Sequence, residues 1–160
     1  MNSYASFCSG DCTGSAEIVI RDHDGVVLVA AARWLDDVPD ALTAEALATK
    51  EGLELAAELG YQRVILESDC QSLRSLLRDP SSRRSVIGGP CFDITELGRE
   101  FDEFRVEWVC RGAKSVAHVC ATRATALDRI SFWVESVPEW LRDLAVRDLA
   151  AKDCNPASDQ

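Results

Sequence analysis

Glu45 and Asp69 are the residues whose type and placement could do chemistry. Glu45 sits near the start of a segment, 41–59, that reads as a helix. Asp69 follows a short apolar run, Val64-Ile-Leu66, and precedes a second helical segment. Open α/β sheets carry functional side chains at the carboxyl ends of their strands. Two carboxylates on rigid elements offer the anionic oxygens that a hard cation such as Mg²⁺ takes, with other positions left to water and phosphate. Each residue also has a plainer role. Asp is among the best helix N-caps, and a glutamate on an amphipathic helix is ordinarily solvated. Cys8-x-x-x-Cys12 is a possible metal half-site, but no second Cys or His pair follows at zinc spacing, so it also reads as a turn with two free thiols.

The elements that must position these residues follow from local chemistry. Residues 2–8 read as a first strand, and Gly10-Asp-Cys-Thr-Gly14 as a turn. Ala16-Glu-Ile-Val-Ile-Arg21 is a β-branched strand. Asp22-His-Asp-Gly25 is a hairpin turn, because Asp-Gly supplies the positive φ such turns need. Val26 to Trp34 is apolar almost throughout and is expected to be covered on both faces. Pro39-Asp40 leads into the helix 41–59, about five turns long, which Gly60 closes. Along it Ala44, Ala48, Gly52 and Ala56 recur every fourth position, a small-residue ridge on which another element can pack closely. Arg63 to Glu67 is a short buried strand, and a helix follows to Arg78. Cys91 to Phe101 reads as a helix with Phe92, Ile94, Leu97 and Phe101 on one side. Phe104 to Val109 alternates as a half-buried strand. Ser115 to Asp128 and Val137 to Ala151 complete the helices. The sum is a mixed α/β fold: a five-stranded sheet, with an antiparallel meander of three strands joined to two parallel strands through helical crossovers.

Composition narrows the function. At 160 residues the chain is expected to be one domain over 1–152 with a disordered tail, 153–160. The formal net charge of −10 argues against broad nonspecific nucleic-acid binding, which depends on Lys and Arg neutralising phosphates. No apolar run is long enough to span a bilayer, and the first residues lack the basic start and apolar core of a signal peptide. Seven scattered cysteines favour reduced thiols, hence an intracellular protein. A monomer is expected.

Four segments carry a resemblance: Gly14-Ser-Ala-Glu-Ile-Val-Ile-Arg-Asp-His-Asp-Gly25; Ala44-Glu-Ala-Leu-Ala48 with Gly52-Leu53; Leu66-Glu-Ser-Asp-Cys70; and Arg111-Gly-Ala-Lys-Ser-Val-Ala-His-Val-Cys-Ala121. In that order and spacing they resemble the type-1 ribonuclease H domain, and within it the plant reverse-transcriptase-like (ribonuclease H-like) branch. The resemblance implies the mixed sheet deduced above. It also implies metal-dependent hydrolysis of the RNA strand of RNA–DNA hybrids, by four carboxylates holding two Mg²⁺ (or Mn²⁺) ions.

Residue by residue, the match is incomplete. Glu45 matches the carboxylate of the first helix, and Asp69 that at the end of the fourth strand. Tyr4 stands where the first-strand aspartate is expected, and His118 where the last-helix aspartate is expected. Glu17 stands where a glycine is usual. Two carboxylates offer −2 against the +4 of two Mg²⁺. A phenol is neutral at neutral pH and cannot bridge two cations. His118 suits Mn²⁺ or Zn²⁺ better than Mg²⁺, can shuttle protons, or can face solvent. Asp11, Glu17 and Glu67 are possible substitute oxygens. Arg111 and Lys114 could meet nucleic-acid phosphate, with Arg123 extending the patch, or could be plain surface charges. Trp108, Trp133 and Trp140 could stack on bases but suit core packing. Three functions follow: a hybrid-cleaving ribonuclease, a catalytically degenerate binding domain, or a structural remnant.

Overall fold

The computed structural model describes residues 1–78, 88–109, 129–134, 137–143 and 146–147. The chain opens with three antiparallel strands, β1 (Asn2–Cys8), β2 (Thr13–Arg21) and β3 (Val27–Leu35). At the β2–β3 turn the Asp22 carboxylate accepts from the backbone N–H groups of Asp24 (3.0 Å) and Val26 (2.9 Å), and Gly25 takes the positive φ of 80° that the turn requires. Helix α1 (Ala41–Glu58) begins where the Asp40 carboxylate accepts from the Thr43 N–H at 2.7 Å. It ends before Gly60, whose φ of 77° is the left-handed conformation of a helix C-terminus.

The small-residue ridge does what its spacing predicts. Ala44, Ala48, Gly52 and Ala56 are all buried. A Cβ on Gly52 would lie 3.0 Å from the Met1 sulfur and 3.4 Å from an Ile18 methyl, so the missing side chain lets α1 down onto the sheet. Ser3 on β1 and Thr49 on α1 share a buried hydroxyl–hydroxyl bond of 2.9 Å across this seam. Strand β4 (Arg63–Ser68) then enters parallel to β1, followed by helices α2 (Gln71–Arg78) and α3 (Gly88–Gly98) and by β5 (Glu103–Trp108), parallel to β4. The α1 face of the sheet carries the main core, in which Ile18, Leu53, Leu73 and Ile94 are buried together.

The sheet has six strands, in the order β5-β4-β1-β2-β3-β6, not five. The added strand, β6 (Ile130–Val134), runs antiparallel to β3, with Ala31 opposite Phe132. It is anchored where the Trp34 N–H donates to the Arg129 carbonyl at 2.8 Å and where Arg129 pairs with Asp36. On the face away from α1, Val19, Ala30, Ala32, Val137 and Leu141 form a second core, and Trp133 packs edge-on against Trp140 at 6.2 Å. These two tryptophans therefore serve packing.

Helix α3 also differs from expectation. It starts at Gly88 and stops at Gly98. A proline such as Pro90 is tolerated in a first turn, where N–H groups have no helical partner. Ile94 is buried as expected, but Phe92 is 46% exposed. Phe101 lies beyond the helix and stacks on Phe104 at 6.3 Å. The expected helix 115–128 and the tail lie outside the described residues, and of the last helix 139–143 and 146–147 are helical. No described helix is long and apolar enough to cross a membrane.

Candidate functional site

The site grows from the register of three adjacent strands. β1 runs parallel to β4 with Asn2 level with Glu67, and the Asn2 amide donates to the Glu67 carboxylate at 2.7 Å. Carried two residues further, the same register brings Tyr4 level with Asp69, just past the end of β4. On its other side Tyr4 is directly opposite Glu17 of β2. Side chains alternate across a strand. Ser3 bonds α1, and Ala5 and Phe7 pack against the α1-side core. Tyr4 therefore belongs to the other face of β1, together with Asn2 and Ser6, and Glu17 shares that face as its cross-strand partner.

Asp69 occupies the short link between β4 and α2. There the Ser68 hydroxyl accepts from the Cys70 N–H at 3.2 Å, so a serine holds the turn into the helix. Glu45 projects from α1 between the buried Ala44 and Ala46, with one carboxylate oxygen itself buried. The two carboxylates meet electrostatically at Cys70. Burial pushes the Cys70 thiol above its usual range, and the negative charges of Glu45 and Asp69 push the same way, against backbone hydrogen bonds from Leu73 and Ser72. Glu45 and Asp69 thus both lie within electrostatic range of the Cys70 thiol.

Glu17 is the feature that sequence reading underweighted. Its side chain is fully buried, at 0% exposure. One carboxylate oxygen accepts from the Ser15 hydroxyl at 2.5 Å, and Ser15 in turn shares a 2.7 Å bond with Ser6. The signal lay in the hairpin register, which alone places Glu17 beside position 4. Asp11 is exposed in the β1–β2 turn, and Glu67 is engaged by Asn2, so neither joins Glu45 and Asp69. His118, Arg111, Lys114 and Arg123 lie outside the described residues.

The donor set can be tested against a pair of divalent cations. Among the described residues no three His, Cys, Asp or Glu side chains are grouped so as to hold a metal ion. Glu45 and Asp69 contribute two charges, Tyr4 contributes none, and Glu17 is turned toward Ser15. The described residues do not fit two Mg²⁺ ions.

A sheet with a three-strand antiparallel meander, two parallel strands added beside β1, and helix α1 packed across it is that of a ribonuclease H-like domain. Solved structures agree on the fold. Ribonuclease H1 from the halophilic archaeon Halobacterium salinarum superposes with a TM-score of 0.67 at 22% identity, over 79% of this chain and 95% of that one. The N-terminal ribonuclease H domain of a Mycobacterium tuberculosis protein, solved as a fusion with maltose-binding protein, gives 0.66 at 18% identity, over 79% and 91%. No curated protein sequence matches the chain. Residues 2–124 match the family described as reverse transcriptase-like, and the chain belongs to that family.

Proposed function

We propose that this chain is a ribonuclease H-type nucleic-acid-binding domain that takes RNA–DNA hybrid as its ligand and lacks the two-metal cleavage of its family. The observation that carries the second half is Tyr4. It stands directly opposite Glu17 on β1, the strand that pairs with β4, where the family resemblance expects the aspartate shared by both cations. The fold shared with ribonuclease H1 supports the choice of ligand. The four described cysteines are free thiols, which supports a reducing, intracellular setting.

Binding and cleavage are tested together. A labelled RNA–DNA hybrid should bind at low salt, where phosphate contacts are strongest, and should stay intact with Mg²⁺ or Mn²⁺. Absence of binding at low salt overturns the ligand. Metal-dependent cleavage that Glu45→Gln and Asp69→Asn both abolish overturns the loss of catalysis. That outcome is the second reading, an active ribonuclease, and it is favoured by the retention of Glu45 on α1 and Asp69 just past the end of β4.

A further inference from the structure

We propose that α2 carries a phosphate track, in which Arg74 and Arg78 hold successive backbone phosphates of the bound strand as it leaves the Glu45–Asp69 end of the sheet. The inference rests on the nucleic-acid-binding reading above. Helix α2 turns Leu73 fully inward, with Leu76 and Leu77 packed partly against the same core. Arg74 and Arg78 stand four residues apart and therefore share a different face. Arg74 lies one turn beyond the site, its N–H donating to the Cys70 carbonyl at 3.1 Å.

The guanidinium groups of these two residues stand beside the site without an acid on their own helix. The Arg74 Nε is buried with no hydrogen-bond partner, and among the described residues neither Arg74 nor Arg78 forms an ion pair. This is notable because the chain holds 27 acidic residues against 17 basic ones. Several bases elsewhere find acids. Arg33 pairs with Glu51 at 3.0 Å, Lys50 with Asp93 at 2.8 Å, Arg99 with Glu96 at 2.5 Å and Arg105 with Glu103 at 2.5 Å. Helix α2, Gln71-Ser-Leu-Arg-Ser-Leu-Leu-Arg78, contains no acid at all.

Two like charges at this spacing repel, so the arrangement is most stable with an anion laid across both. The guanidinium fork matches phosphate oxygens in bidentate fashion. About 6 Å of helix rise separates the two residues, on the scale of one nucleotide step. The crevice at the carboxyl ends of β1 and β4 is also where this class of sheet receives its ligand.

The test is fluorescence anisotropy with a labelled RNA–DNA hybrid across a salt series, using the full chain and the variants Arg74→Gln, Arg78→Gln, the double variant and Arg105→Gln. Each single change in α2 should weaken binding and reduce the slope of log affinity against log salt by about 1, and the double change by about 2. Arg105→Gln, on the edge strand β5 and already paired with Glu103, should leave the slope unchanged. Circular dichroism shows that the variants are folded. If the unmodified chain binds but the α2 variants keep its affinity and slope, the track is refuted while the ligand reading stands. If the unmodified chain fails to bind at low salt, both fall. Competition by a polyglutamate peptide that outmatches the hybrid would assign the arginines to an acidic protein partner and overturn the proposal.

Discussion

Tyr4→Asp is the most informative single change, because it restores a carboxylate directly opposite the buried Glu17. Directly opposed residues of an antiparallel pair have Cβ atoms about 5 Å apart. Two carboxylates at about that distance repel by about 3 kcal/mol at an effective dielectric of about 20. Tyr4→Asp also removes a phenol, so Tyr4→Asn is the reference that loses the same packing without gaining charge. In chelator at neutral pH, Tyr4→Asp should unfold about 6–12 °C below Tyr4→Asn, since about 2–4 °C accompanies each kcal/mol in a chain of this size. The repulsion raises the folded-state pKa of the pair above the unfolded value. Its cost therefore develops as pH rises through the carboxylate range, and the two variants should converge in acid. Mn²⁺ should raise the melting temperature of Tyr4→Asp but not of Tyr4→Asn, because a cation placed among Asp69, Glu17 and the new carboxylate relieves the repulsion. Equal melting temperatures in chelator would refute the placement of Glu17 as a charged neighbour of position 4. Failure of Mn²⁺ to act would refute the convergence with Asp69.

Thiol modification should separate the cysteines: Cys8 and Cys12 are exposed and should react first, whereas burial pushes the thiols of Cys70 and Cys91 up and should slow them, as timed mass spectrometry would show. Asp40→Ala removes the carboxylate that caps α1 and should cost about 1 kcal/mol, read from denaturant unfolding. Burial pushes the Glu51 carboxyl above its usual range while Arg33, 3.0 Å away, pulls it down. The net upward shift contributes stability that is present in acid and lost as pH rises through the folded value. The fall in stability from about pH 4 to about pH 6 should therefore be smaller in Glu51→Gln, as urea midpoints would show.

Most of the fold was legible because its signals are local. The Asp22-His-Asp-Gly25 turn, the Asp40 cap and the Gly60 stop each act through neighbouring atoms, and β1, α1 and β4 fall within a residue of their expected bounds. β6 was not legible. Ile-Ser-Phe-Trp-Val is too short for periodicity to identify, and its partner, β3, lies about a hundred residues back in the chain. Its edge position leaves Ile130 63% and Phe132 50% exposed, so burial gave no pattern either. Of the site, Glu45 and Asp69 could be named through the family resemblance. The place of Glu17 required the pairing of two strands, and the lack of an ion pair at Arg74 among the described residues required their side-chain positions.

The same geometry explains how the site could change while the fold stayed. The core is closed by Leu53, Leu66, Leu73 and Ile94, all fully buried, and none of these depends on a carboxylate. On the proposed reading, a phenol at position 4 removes a charge that would otherwise face Glu17 without a cation between them. Glu17 returns a carboxylate to the row, but one turned along its own strand to Ser15. Buried charge is tolerated when it is hydrogen-bonded. On the proposed reading, a carboxyl is kept in the row while the two-metal geometry is lost. On that reading a phosphate backbone would meet the carboxylates of Glu45 and Asp69 without two cations to mediate. A strand that docks here would be drawn by fixed positive charge beside the carboxylates, and on the proposed track α2 supplies it one and two turns along, in Arg74 and Arg78.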